Sequence, residues 1–320
     1  MSGELERIQA IRTRVARPAD SVRVGVGDDA AVIRPEPGME TVVSTDLLVE
    51  GVHFRREWTT ADLLGRKSLA ISLSDMAAMG AAPRAAFLSL AVPDTCDDAF
   101  LEAFYSGAAA VADRYGVTIA GGDLSSSPGP LCIDSVVTGE VETDRALLRS
   151  RARAGQALFV SGALGSSAFG LEQLRSGVTL ETATTGMDLD AIRSHLAPTP
   201  RIELGRALVM TGFATAAIDI SDGLSSDVRR ICEASGVGVV INGEAIPTSY
   251  DFELALHGGE QYELLFAADT SSAERLALVS HQLKLPITCL GRFEGPASEV
   301  LLELNGNRTP LPPGGWEHFR

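Results

Sequence analysis

Aspartates recur in this chain beside glycines and hydroxyls, at points where an apolar or β-branched run gives way to polar residues. The pattern occurs at Gly27-Asp28-Asp29, Ser44-Thr45-Asp46, Gly121-Gly122-Asp123 and Asp219-Ile220-Ser221-Asp222-Gly223. Asp75 adds a carboxylate inside a helix-patterned segment. Mg²⁺ takes hard oxygen ligands and completes its shell with water or phosphate oxygens. Converging carboxylates repel one another unless cations lie between them, and adjacent glycines let a polyphosphate approach backbone N–H groups. The chemistry this suggests is phosphoryl transfer, where positioning and charge screening do most of the catalysis. Each fragment also has a plainer explanation. An Asp-Gly after a strand is commonly a turn, and a Ser-Thr-Asp run can cap a helix. From the pattern alone both readings stand.

Other nucleotide signatures are missing. The sequence has no GxxxxGK[ST] loop, no kinase catalytic loop and no DFG, and Gly25-Val26-Gly27 lacks the third glycine of a dinucleotide fingerprint. Gly162, Gly165 and Ser166 suit a strand-to-helix turn as well as a phosphate. His53, in Gly51-Val52-His53-Phe54, follows the Ser-Thr-Asp segment and is either structural or a site residue. His195, His257 and His281 show no ligand spacing and carry no expectation. Arg149 clusters with Arg145, Arg151 and Arg153, which suits a nucleotide phosphate or a solvated linker face. Trp316, in a Pro-Pro-Gly-Gly-Trp tail, offers a flat face to a heteroaromatic ligand or an anchor for the terminus.

These residues must be positioned by alternating strands and helices. A short helix within the first twenty residues precedes strands at 22–26 and 30–33. Thr41 to Ser44 is β-branched and predicts a strand that ends at Thr45-Asp46. Thr59 or Thr60 caps a helix on which Lys67, Ile71 and Asp75 share a face. Strands follow at 87–92, at 117–120 ending on Gly121-Gly122-Asp123, and at 133–141, with a helix over 97–115. After the arginine cluster come a strand over 157–161, a glycine-rich loop holding Gly162, Gly165 and Gly170, and a polar stretch over 176–190. A helix over 201–210, a strand over 216–220 and a helix over 225–234 complete the pattern. It predicts an α/β or α+β fold in two domains, residues 1–150 and 151–320.

Composition narrows the function classes. The formal net charge of -15 disfavours a nucleic-acid partner. The 320 residues contain no apolar run long enough to span a membrane, and the first residues lack an apolar signal core, so a cytoplasmic protein is expected. Cys96, Cys132, Cys232 and Cys289 are isolated, which predicts free thiols and no zinc motif.

Longer strings carry a resemblance. They are GVGDDAAVI from Gly25, STDLLVEGVHF from Ser44, SLSDMAAMGAAPRAAFLSLAVP from Ser72, GGDLS from Gly121, LLRSRARAGQALFVSG from Leu147, IDISDGLSSD from Ile218, HGGEQYELLF from His257 and GGWEHF from Gly314. In this order the chain resembles the thiamine-monophosphate kinase family, whose superfamily also holds aminoimidazole ribonucleotide synthetase and selenophosphate synthetase. The resemblance implies an aminoimidazole ribonucleotide synthetase-like fold. Its N-terminal sheet would pair across a homodimer, and its C-terminal α/β domain would complete the active site. It implies ATP and thiamine monophosphate as substrates and several Mg²⁺ ions. By motif, Asp29, Ser44, Thr45, Asp46, Asp75, Asp123, Asp219 and Asp222 would hold metal. Gly122, Asp123, Arg149, Ser221 and Tyr105 would meet ATP, and His53, Glu260 and Trp316 the thiamine phosphate. Gln261 stands where the family's GGEDYEL string has aspartate. The implied reaction is in-line transfer of the γ-phosphoryl group without a general base, since the acceptor phosphate, with a second pKa of about 6, is already largely dianionic. Selenophosphate synthetase and hydrogenase-maturation relatives usually carry a reactive cysteine or selenocysteine near one terminus, which this chain lacks. A nucleotide-binding regulator without turnover is the alternative of a different class.

Overall fold

Residues 4–15, 19–26, 30–295 and 299–317 are described by the computed structural model, and Asp29 lies outside them. The chain divides into two units, one of residues 1–76 and 81–144, the other of residues 77–80 and 145–320.

The first unit opens with helix α1 (Glu4–Val15) and two short antiparallel strands, β1 (Val22–Val24) and β2 (Val32–Ile33). Then come β3 (Met39–Val49), α2 (Ala61–Met79), β4 (Ala82–Pro93), α3 (Asp98–Tyr115), β5 (Thr118–Ser127) and β6 (Cys132–Glu142). Hydroxyl and carboxylate caps start both long helices. Thr60 Oγ1 accepts from Leu63 N at 3.3 Å at the head of α2, and Asp97 accepts from Phe100 N at 2.8 Å at the head of α3. The four long strands form one sheet in the order β3-β6-β4-β5, with β4 and β5 parallel and the other neighbours antiparallel.

Two strands run further than the sequence predicts. Ser44, Thr45 and Asp46 lie within β3, because pairing with β6 continues from Met39 opposite Glu142 to Val49 opposite Cys132. Gly121, Gly122 and Asp123 likewise lie inside β5. Gly122 has a φ of 147°, and a Cβ there would meet the carbonyl oxygen of Leu88 at 1.9 Å. The glycine thus lets β5 press against β4, and the ladder passes through it.

In the second unit a 3-10 turn at Arg149–Arg151 leads to β7 (Ala157–Ser161), α4 (Ser166–Arg175), α5 (Gly186–Leu196), α6 (Ile202–Thr211) and β8 (Ala214–Asp219). After these come α7 (Leu224–Ser235), β9 (Gly238–Asn242), α8 (Phe252–His257), β10 (Leu264–Ala268), α9 (Ala273–Leu283), β11 (Ile287–Glu294), β12 (Val300–Leu304) and β13 (Asn307–Pro310). The strands make a seven-stranded sheet in the order β13-β12-β9-β11-β7-β10-β8. β7 and β10 are buried at every position, which is why their sequences are almost wholly apolar. Leu224, Val228, Ile231 and Cys232 of α7 join Ile218, Leu265 and Phe293 of the sheet in one apolar core. Gly170, expected in a loop, is inside α4. A side chain there would collide with the carbonyl of Ala191, 2.2 Å from its Cβ, so the glycine serves a close helix crossing.

Candidate functional site

Along β3 alternate side chains face opposite ways, so Ser44, Asp46 and Leu48 share one side and Val43, Thr45 and Leu47 the other. The Ser44 side meets α2, where its hydroxyl donates to Asp75 Oδ2. Buried hydroxyls fix that helix on the sheet. Ser72 Oγ and Ser135 Oγ are 2.6 Å apart, and Ser135 Oγ donates to the carbonyl of Ser68 at 2.8 Å. The helix face therefore reads Ser68, Ser72, Asp75, and its seat on β6 decides where Asp75 stands.

Asp46 Oδ2 is buried without a hydrogen-bond partner. Burial, and then the charge of Asp75, push the Asp46 carboxyl up to about 6, against the pull of the Ser72 hydroxyl. An orphaned carboxylate oxygen beside a second carboxylate is costly unless a cation compensates it. The pair fits a hard divalent ion such as Mg²⁺. Among the described residues no three His, Cys, Asp or Glu side chains group to hold a metal by themselves. Water or phosphate oxygens would have to complete the shell.

Asp123 stands apart from this pair. β3 and β5 are the two edges of the sheet, so three strand spacings, roughly 14 Å, separate Asp46 from Asp123. Asp123 is exposed and accepts from Leu124 N at 2.9 Å. Tyr105, only 4% exposed, stacks edge-on to Phe104 within the core. Burial, and then the charge of Asp123, raise its phenol well above the ordinary value. His53 lies in the turn after β3, where Val49 N donates to its Nδ1 at 3.0 Å. That bond leaves Nδ1 without a proton, so the neutral ring carries its proton on Nε2. Arg149 is at the surface, its carbonyl held by Ser235 Oγ at 2.7 Å.

In the second unit two loops interlock. One runs from Asp219 to Gly223 between β8 and α7, the other from Gly258 to Glu263 before β10. Glu260 N donates to Ser221 O at 2.6 Å, and the amides of Gln261 and Tyr262 both donate to Ile220 O, at 3.0 and 2.8 Å. Glu260 and Tyr262 adopt left-handed φ values of 56° and 55° to make these bonds. Asp219 is buried at the end of β8, and Asp222 is partly exposed. Trp316 N donates to Asp222 O at 3.0 Å while its side chain remains 48% exposed. Ser221, Asp222, Glu260 and Trp316, remote in sequence, therefore share one set of loops.

The structure adds residues that the sequence reading missed. Arg230 donates to Asp222 Oδ2, and to Asp227 Oδ1 at 2.7 Å. Asp227 is fully buried and accepts from the amides of Asp222 and Gly223 at 3.0 and 3.1 Å. Burial pushes its carboxyl up to about 6 against the Arg230 charge and these amides. Its place in the first turn of α7 was the available signal, since an acidic residue there suits a helix N-terminus. Glu263, also buried, accepts from Arg201 on both oxygens, including Nε to Oε2 at 2.8 Å, and from Ser161 Oγ. A charge opening an apolar strand demands a partner, but nothing local pointed to Arg201. Gln261 Nε2 donates to Ala163 O at 3.1 Å and Ser166 Oγ at 2.7 Å, while Oε1 accepts from Ser167 N at 3.3 Å. Its amide caps α4 and fixes the Gly162–Ser166 segment as a strand-to-helix turn.

Two sequence families match in chain order. AIR synthase related protein, N-terminal domain, matches residues 27–141, and AIR synthase related protein, C-terminal domain, matches residues 153–298. The fold is thus that of an AIR synthase related protein with both domains. The thiamine-monophosphate kinase of Bacillus subtilis (strain 168) is 35% identical, with 99% of each chain covered. A crystal structure of thiamine-monophosphate kinase from Stenotrophomonas maltophilia K279a has a TM-score of 0.83 at 36% identity, covering 95% of this chain and 96% of that one. A structure of AaThiL complexed with AMPPCP and TMP has a TM-score of 0.77 at 32% identity, covering 89% of each chain. The chain belongs to the thiamine-monophosphate kinase family.

Proposed function

We propose that this protein transfers the γ-phosphoryl group of ATP to the phosphate of thiamine monophosphate, giving thiamine diphosphate and ADP. The observation that carries this reading is the end-to-end likeness to thiamine-monophosphate kinases, 99% of both chains in the Bacillus subtilis case. The complex of AaThiL with AMPPCP, an ATP analogue, and TMP supports both substrates.

The side chains fit that chemistry. Asp46 and Asp75 would hold Mg²⁺, with Ser44 orienting Asp75 and Thr45 on the opposite strand face. Asp123, Asp219 and Asp222 would serve further ions, and Asp29 joins them on motif alone. When bound, Mg²⁺ would screen the charge of two phosphate groups that otherwise repel. Gly122, whose backbone is exposed, would let a nucleotide phosphate approach, with Arg149 and Ser221 as further ATP contacts; Tyr105, expected with them, is almost wholly buried. His53 would donate Nε2–H to the acceptor, Glu260 would contact it through its carboxylate, and Trp316 would stack on its rings. No general base is required, because the acceptor phosphate is dianionic near neutral pH.

A homodimer belongs to the same reading. Val43 and Leu47 on the outer strand β3 are 59% and 56% exposed. Such an apolar edge is a liability unless another surface covers it. The test of the function is product analysis with purified protein, ATP and Mg²⁺, offering thiamine monophosphate or thiamine. Thiamine diphosphate and ADP should form from the monophosphate and only with a divalent cation. Preferential phosphorylation of thiamine would overturn the assignment.

A further inference from the structure

Contact between Glu260 and the acceptor is part of the proposed function, and the role of its neighbour His195 rests on that reading. The Glu260 main chain has a left-handed φ of 56° and its N–H donates to Ser221 O at 2.6 Å, which fixes where the side chain leaves the loop. Glu260 Oε2 lies 3.1 Å from Nδ1 of His195 on α5. His195 is only 3% exposed, and the same nitrogen is 3.2 Å from Ser167 Oγ on α4. An ionised carboxylate can only accept. Were Nδ1 unprotonated, two sets of lone pairs would face each other at that distance. The hydrogen therefore sits on Nδ1 and is donated to Glu260, a charge-assisted bond from a buried ring to a partly exposed carboxylate.

We infer that His195 is a positioning residue for substrate recognition: its Nδ1–H fixes the Glu260 carboxylate where the acceptor binds. The imidazole is too buried to meet a ligand, so its effect passes through Glu260. Gln261 reinforces the arrangement, since its amide caps the turn of α4 that carries Ser167. The loop before β10 is thus tied to α4 by Gln261 and to α5 by Glu260.

Steady-state kinetics with both substrates varied, on His195→Leu, His195→Asn, Glu260→Gln and the double variant His195→Leu/Glu260→Gln, test this. His195→Leu should raise the KM for thiamine monophosphate about tenfold, the loss of one charge-assisted hydrogen bond, and leave the KM for ATP unchanged. His195→Asn, whose amide can take the place of Nδ1–H, should restore most of that loss. The double variant should be no worse than Glu260→Gln alone, because the two residues act as one unit. Equal rises in both KM values, failure of His195→Asn to rescue, or additive losses would overturn the role of His195 while leaving Glu260 as a contact. If Glu260→Gln itself leaves the KM for thiamine monophosphate unchanged, the reading of Glu260 fails and this inference with it. ¹⁵N NMR of the histidine rings in the unsubstituted protein gives a readout independent of variant folding. A protonated Nδ1 on His195 that shifts in Glu260→Gln is expected, and an Nε2–H tautomer overturns the inference.

Discussion

The hydroxyl of Ser44 donates to the carboxylate of Asp75, joining β3 to α2 beside the buried, unpartnered oxygen of Asp46. The bond orients one carboxylate and leaves an oxygen of the other unpartnered. Under the proposed function such a place would trade stability of the metal-free protein for cation binding.

Asp46→Asn should accordingly separate stability from activity. Removing the buried charge relieves its desolvation and its repulsion with Asp75, worth about 1 kcal/mol, so the metal-free variant should melt about 2–4 °C higher. Turnover should fall at least about 100-fold, since a charged ligand for the Mg²⁺ that would screen the transferring phosphoryl group is gone. A variant that melts lower and keeps its activity would show that Asp46 is an ordinary part of the sheet.

The Arg201–Glu263 pair should behave as a buried structural pair. Arg201→Met strands the Glu263 carboxylate and should cost about 3 kcal/mol, read as a lower denaturant midpoint. Adding Glu263→Gln should recover much of that loss, because the stranded charge then disappears. A double variant as unstable as Arg201→Met would mean that packing of the arginine, not its charge, is what the protein needs.

Gln261→Glu keeps the acceptor for Ser167 N but removes both hydrogen bonds donated by Nε2. It also sets a carboxylate against the carbonyl of Ala163. Stability should fall by about 1 kcal/mol in thermal or denaturant unfolding. No change would show that the amide does not secure the turn into α4.

Trp316→Ala should weaken binding of thiamine monophosphate by about 1–3 kcal/mol, the scale of aromatic stacking, with ATP binding barely affected. The main-chain bond from Trp316 N to Asp222 O does not depend on the indole, so the tail should stay pinned. Calorimetric titration of each ligand, with a melting curve as control, measures the split. Equal weakening for both ligands together with a lower melting temperature would assign the indole a packing role alone.

The sequence by itself determined the local elements and the identity of most candidate side chains. The strand over Ala157–Ser161 was legible because every residue in it is apolar or small, and the start of α3 because Asp97 is a capping residue. Repeated aspartates beside glycine and hydroxyl residues pointed to a cation and phosphate chemistry before any fold was known. Only the tertiary structure decided how far β3 and β5 run, since pairing partners on β6 and β4 carry them past the polar residues that looked like strand ends. It also placed Asp46 and Asp123 on opposite edges of one sheet, and it matched Glu263 to Arg201, Asp222 to Arg230 and Glu260 to His195. Propensity, capping and periodicity act over a few residues, so they are written in the sequence. Strand order and the pairing of buried charges are set by which distant segments share one core, and no short stretch of sequence holds that information.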